Sequence, residues 1–158
     1  MDYRIGYSKD IHRLGPNRKL LLAGVHVPFE LGEIAHSDGD VVYHAVAESI
    51  LGALALGDLG KHFPDTSDDT LDMDSSLIMK YVVERMEEKG YSINNIDISI
   101  SLEKPKLASY ILEMRKNIAA LLKTDIDNVS LKAGTNERMG EVGKGEAVEA
   151  YSIVLLKR

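Results

Sequence analysis

Residues 36–66, HSDGDVVYHAVAESILGALALGDLGKHFPDT, decide how this chain is read. The stretch opens with histidine, small polar and acidic residues. It continues as the apolar run Val41, Val42, Ala45, Val46, Ile50, Leu51 and Leu54, and ends in a second loop rich in Gly, Asp, Lys and Pro. Ser37, Asp38 and Asp40 suit the free N–H groups and positive end of a helix beginning near residue 41. Gly39 permits a tight turn before it. The spacing puts Asp40, His44 and Glu48 on one helix face, four residues apart. A helix that carries a histidine out of a polar loop at its own start is too dense in chemistry for a plain core element.

The segment YRIGYSKDIH, residues 3–12, reads as a strand, and residues 13–18 read as a turn. Asp10 and His12 are two apart, so both point to the same face of the strand. With His44 they supply three N/O ligands, the number found at a catalytic zinc site with one open position.

Composition narrows the rest. The 158 residues suggest one domain, 1–158, with a real core. There is no cysteine, so any metal must be held by His, Asp or Glu. A net charge of −6 argues against a general nucleic-acid binder. No apolar run is long enough for a membrane span and no secretory signal opens the chain, so a cytoplasmic protein is expected.

The rest of the chain alternates elements. Residues 19–28 are strand-like, with Gly24 at a turn or bulge and His26 structural. Residues 64–74 form an acidic loop, read as solvated and mobile. A helix follows from a Ser75 or Ser76 cap to about Lys89, stopped by Gly90, with Leu77, Ile78, Tyr81, Val82 and Val83 facing inward. NIDISISLE, 95–103, alternates cleanly as a half-buried strand. Lys104, Pro105 and Lys106 break it, a helix spans roughly 107–123, and strands follow at 129–133 and 147–156. Between those strands, GTNERMGEVGKGE (134–146) is a glycine-rich loop with cations and a weak phosphate signal. The mixture predicts an α+β two-layer sandwich: one mixed β-sheet with helices packed on one face.

The central stretch, the RIG…DIH segment, the KPKL junction at 104–107 and the GTNE…GKGE loop closely resemble the 2-C-methyl-D-erythritol 2,4-cyclodiphosphate synthase family over nearly the whole chain. The resemblance implies a homotrimer with active sites between subunits. Such an enzyme converts 4-diphosphocytidyl-2-C-methyl-D-erythritol 2-phosphate into the cyclic diphosphate and CMP, in non-mevalonate isoprenoid synthesis. It further implies zinc on Asp10, His12 and His44, and a second divalent ion, magnesium or manganese, on Glu137. His36 and Thr135 would position phosphates or stabilise the transition state. Asp58, Gly60, Phe63 and Asp65 would lie by the methylerythritol portion, with Ser37 nearby. Leu102, Pro105, Lys106, Leu107 and Ala108 would line the cytidine pocket. Ala133, Gly134, Glu141 and Lys144 complete the implied contact set. The chain departs from the family's usual pattern at Ser8, Lys9, Leu102, Glu141 and Lys144, and its last loop keeps one threonine. Two other readings suit the same residues. One is a zinc-dependent phosphohydrolase that uses water at the open metal position; the other is a non-catalytic module that binds a phosphorylated ligand.

Overall fold

A computed structural model describes all 158 residues. The elements in chain order are β1 (Tyr3–Gly15), β2 (Leu20–Leu22), β3 (Val25–Val27), β4 (Gly32–Ile34), α1 (Val41–Ala53), α2 (Leu59–His62), α3 (Ser75–Glu88), β5 (Ser92–Ser101), α4 (Ile111–Leu122), β6 (Val129–Gly134), α5 (Gly140–Gly143) and β7 (Ala147–Lys157). Five strands form one sheet in the order β4-β1-β7-β5-β6, and β2 and β3 form a separate hairpin. The β5–β6 pair is parallel and the other pairs are antiparallel, so the sheet is mixed as expected. No helix is long and apolar enough to cross a membrane.

The period-2 alternation of the strands sorts the two faces. Ile96, Ile98 and Ile100 of β5, and Val148, Ala150, Val154 and Leu156 of β7, are buried under the helices. The opposite face stays open: Ile5 is 71% exposed and Tyr7 61%, with Tyr3, Ile11 and Ile153 also exposed. Helix α1 packs on β1 and β7, α3 lies against α1, and α4 lies against β6 and α3. Being covered on several sides, α1 buries ten of its residues, and this explains why its apolar pattern is so broad.

Strand β1 seats α1 without a spacer. A Cβ added at Gly6 would fall 1.9 Å from the Ser49 carbonyl oxygen and 2.8 Å from the Ala53 nitrogen. Beside this contact the Ser49 hydroxyl meets Ser152 Oγ at 2.9 Å. Strand β1 and β7 pair along their lengths, and Asp2 and Arg158 exchange both backbone hydrogen bonds.

Several boundaries differ from the sequence reading. Strand β1 runs through Gly15, because Arg13, Leu14 and Gly15 pair with Ile34, Glu33 and Gly32 of β4; the turn begins after it. Residues 19–28 form a hairpin, and its two central residues, Ala23 (φ 50°) and Gly24 (φ 74°), both have positive φ. His26 is exposed in this hairpin. Asp74, rather than Ser75, caps α3. Leu77 points to solvent, whereas Met79 and Met86 join Ile78, Val82 and Val83 in the core. A 3-10 turn at Ala108–Tyr110 precedes α4, and the 134–146 loop contains the short α5.

Asp40 joins the hairpin to α1. Its carboxylate accepts N–H bonds from Ala23 at 2.9 Å, Gly24 at 2.7 Å and Tyr43 at 3.1 Å, and it is 1% exposed. Glu33 sits alongside, fully buried, and accepts from Leu21 N and Val41 N. Burial pushes the Asp40 carboxyl up to about 6, despite the three N–H bonds that favour its charge. Burial, and then the charge of Asp40, push Glu33 well above the ordinary value.

Asp40→Ala should therefore destabilise the protein by about 3 kcal/mol, because it leaves a strained turn and a helix start without their acceptor. Urea unfolding measures this, and a loss within error of zero would show that water replaces the carboxylate. The folded pKa of Asp40 lies above the unfolded one. Its contribution to stability should be fullest below about pH 4 and should fall as pH rises toward about 6. The Asp40 carboxyl carbon resonance should titrate near pH 6; a midpoint at or below the ordinary value would mean that the N–H bonds outweigh burial.

Candidate active site and metal centre

Asp10 and His12 stand on the helix-covered face of β1, and His44 stands one turn into α1, above them. Asp10 Oδ2 lies 3.0 Å from His12 Nε2 and 3.4 Å from His44 Nδ1. His44 Nδ1 and His12 Nε2 are 3.3 Å apart. These three side chains form the one group of His, Asp and Glu whose ligand atoms all lie within 4.8 Å of one another. His12 Nδ1 lies 2.7 Å from the Gly39 carbonyl, which can only accept. Neutral His12 therefore carries its proton there and turns the Nε2 lone pair to the centre, and in the imidazolium a second proton on Nε2 is shared with Asp10. Two imidazole nitrogens and a carboxylate, all half-buried and convergent, make a donor set that suits a divalent cation.

The charges agree with the geometry. Burial opposes ionisation of Asp10, but the adjoining His12 and His44 imidazoles outweigh it and hold the carboxyl well below the usual range. Burial likewise opposes the His12 imidazolium, yet the bond to Asp10 and its charge raise the value. A bound cation would replace that shared proton, so both groups are held in their metal-ready arrangement by mutual attraction.

The triad opens into a cavity of about 380 Å³. His36, Ser37, Gly60, Phe63 and Asp65 line it, together with Ile34, Ala35, Glu48, Leu59, Thr70, Met73 and Ile78. Glu48 Oε2 accepts from the Ser8 hydroxyl and Oε1 from Leu59 N, so this carboxylate anchors α2. His36 donates from Nε2 to the Ser67 carbonyl, and Asp72 N donates to the His36 carbonyl. His62 lies between the Leu56 carbonyl and the Tyr81 hydroxyl, and Tyr81 meets Phe63 edge-on at 5.1 Å. This brace holds Phe63 in the wall; nothing in the local pattern marked His62, because Tyr81 is 19 residues away.

Three expectations change here. Asp40 does not share the His44 face: as the N-cap, with extended backbone, it folds back into the fold's interior. Asp58 lies outside the lining and caps α2, accepting from Lys61 N at 3.0 Å. The acidic segment keeps its aspartates exposed, as a solvated loop does, but it is also part of the wall: it forms a 3-10 turn at Asp68–Thr70, with Thr70 buried and bonded to the Pro64 and Ser67 carbonyls.

A second cavity, about 330 Å³, gathers Leu102, Pro105, Lys106, Leu107, Ala108, Ala133, Gly134 and Thr135, with Glu103 and Ile111. Glu103 accepts from Asn136 N at 3.1 Å and Arg138 N at 3.2 Å, which ties the last loop to this cavity. Glu137, Glu141 and Lys144 are exposed and line neither cavity. Glu141 instead borders a pocket with Ile11, Arg13, Glu146 and Ala147.

A 2-C-methyl-D-erythritol 2,4-cyclodiphosphate synthase of Brachyspira hyodysenteriae is 52% identical over 155 residues, 98% of either chain. The synthase of Chlorobaculum parvum is 48% identical, over 98% of this chain and 99% of its own. The bifunctional IspDF of Campylobacter jejuni superposes with a TM-score of 0.95 at 38% identity, covering 99% of this chain and 42% of that one. A 2C-methyl-D-erythritol-2,4-cyclodiphosphate synthase in its CDP-bound form superposes at 0.90 and 32% identity, over 98% and 100%. Residues 3–157 match the model of the YgbB family, so this chain belongs to that family, among the 2-C-methyl-D-erythritol 2,4-cyclodiphosphate synthases.

Proposed function

We propose that residues 1–158 act as one catalytic domain that converts 4-diphosphocytidyl-2-C-methyl-D-erythritol 2-phosphate to the 2,4-cyclodiphosphate and CMP. The reaction is that of a phosphorus–oxygen lyase in non-mevalonate isoprenoid precursor synthesis. The observation that carries this reading is the convergence of Asp10, His12 and His44 at the head of a cavity, in a chain about half identical to synthases over nearly its whole length. The soluble, highly charged substrate suits the cytoplasm.

In the reaction an oxygen of the 2-phosphate bonds to the β-phosphorus. The bond from that phosphorus to the oxygen bridging it to the α-phosphate breaks, and CMP leaves with the oxygen and its electron pair. Nucleophile and electrophile belong to one substrate, so no protein nucleophile is required. The barrier lies in aligning two anionic groups. A divalent ion, zinc at the triad and magnesium or manganese at Glu137, supplies charge neutralisation and Lewis acidity when bound. The chain's own residues supply position. Asp10, His12 and His44 place their donor atoms at the cavity head. His36, held by the Ser67 carbonyl, faces the same cavity and orients phosphate, as Thr135 does from the second cavity. Gly60, Phe63 and Asp65 enclose the methylerythritol portion, with Ser37 and Asp58 close in sequence to this wall. The second cavity takes the cytidine, between Leu102–Ala108 and Ala133–Gly134. Glu141 and Lys144 contribute charge from the last loop.

One chain presents these as two separate cavities, and its open sheet face exposes Tyr3, Ile5, Tyr7, Ile11 and Ile153. Both features support a homotrimer in which the sheet faces meet and each site takes one cavity from each of two subunits.

Phosphorus NMR of the protein with substrate, zinc and magnesium should show the cyclic diphosphate appearing with CMP; a linear hydrolysis product would instead identify a phosphohydrolase. His44→Ala should lose bound zinc and this activity while remaining folded, and wild-type metal content in that variant would overturn the triad assignment. For the shared site, co-expressed His44→Ala and Lys106→Glu chains, each inactive alone, should regain about a quarter of wild-type activity when subunits mix at random. No recovery in verified mixed trimers would place the site within one chain.

A further inference from the structure

We infer that Ser75, backed by Asp38, is the positioning residue that fixes the tautomer of His44 and aims its Nδ1 lone pair into the triad. The inference rests on reading the triad as a metal centre. His44 presents Nδ1 to Asp10 and His12, and Nε2 to two hydroxyls, Ser37 Oγ at 3.1 Å and Ser75 Oγ at 3.0 Å. A hydroxyl can donate to a bare ring nitrogen or accept from a protonated one, so by itself it sets no tautomer.

Ser75 has no such freedom. It is fully buried at the first turn of α3, 31 residues from His44. Its hydroxyl donates to Asp38 Oδ1, and its backbone N–H donates to Asp38 Oδ2 at 2.9 Å. Asp38 Oδ1 also accepts from Asp40 N at 3.1 Å. A carboxylate only accepts. Turning the Ser75 proton toward His44 would leave two oxygens facing each other with no hydrogen between them. The Ser75 hydroxyl must therefore accept from His44, His44 must carry its proton on Nε2, and Nδ1 is left bare. Ser37 is not committed in this way. Its oxygen accepts from Gly39 N at 3.3 Å while its own proton remains free, so it satisfies either tautomer.

The same direction is imposed on His12 by a carbonyl. Both imidazoles are thus polarised from behind, one by backbone and the other through a buried serine and a carboxylate. Outer partners of this kind typically change metal affinity about 10–100-fold when removed.

The test reads the ring directly in metal-free protein, by nitrogen NMR of His44 about two pH units above the ordinary imidazole value. Wild type should show the Nε2–H form. Asp38→Asn keeps the shape; the flip that leaves an oxygen accepting from Ser75 N turns the amide N–H toward Ser75 Oγ, at the loss of the bond from Asp40 N, and frees the serine proton to turn toward His44. Its His44 signal should shift toward the Nδ1–H form. Ser75→Ala should give a mixture of tautomers and bind zinc about 10–100-fold more weakly in competition with a chromophoric chelator, with Ser75→Thr restoring the wild-type affinity. An Nδ1–H form in wild type, or an unchanged tautomer in Asp38→Asn, would overturn the inference. Should Ser75→Ala fail to fold, the isosteric Asp38→Asn still decides it. Wild-type protein that shows the Nε2–H form yet binds no divalent ion would refute the metal reading and leave the tautomer assignment standing.

Discussion

The contact between Gly6 and the backbone of α1 governs how this site is built. A ligand on a helix can meet ligands on a strand only if the two backbones lie at a set distance and register. Here the absence of a side chain at Gly6 lets the strand touch the Ser49 carbonyl and Ala53. From that point the two elements climb together in matched steps. Two strand residues rise about 6.6 Å and one helical turn about 5.4 Å. Gly6 meets Ser49 and Ala53, Ser8 bonds Glu48, and Asp10 and His12 reach His44. The triad is the last rung of this ladder. The rung below it joins the Ser8 hydroxyl to the Glu48 carboxylate, and it also secures the entrance of α2.

Much of this was legible in the chain. The D-x-H spacing on a strand and the histidine after a helix start picked out the three side chains that converge, because periodicity fixes which side chains share a face. What spacing could not show was competition for a side chain. Asp40 has the right interval to stand with His44, but it precedes the first helical residue. There the unpaired N–H groups of α1 and of the hairpin turn claim its carboxylate. Ser75 and Thr70 were invisible for another reason. The partners of Ser75 lie across the fold, and a serine at a helix start reads locally as a cap, whereas Thr70 bonds carbonyls of its own loop that no periodicity marks. Leu77 was misplaced because its helix buries a stripe one residue further round, over Met79 and Met86.

The far end of the molecule follows a different logic. Glu137 and Arg138 both hold positive φ, 51° and 61°, in a loop with few buried contacts, and such backbone is costly for residues with side chains. Glu103 offsets that cost by accepting N–H groups on either side of Glu137. The loop bearing Thr135 and Glu137 is thereby fastened to the second cavity rather than to the triad. The two cavities are thus each organised by a carboxylate that gathers backbone N–H groups, Asp40 near the first and Glu103 at the second.

The pairing of β1 with β7 has a topological consequence. Residues 2 and 158 are hydrogen-bonded neighbours, and the triad lies eight residues up the strand from Asp2, about 26 Å away. The backbone is in effect a ring with a single seam, placed far from the chemistry. A short linker across that seam, with new ends opened in an exposed loop, would yield a permuted chain with the same ladder of contacts. Domains appended at either side of the seam would emerge from one end of these two strands, the end remote from the triad.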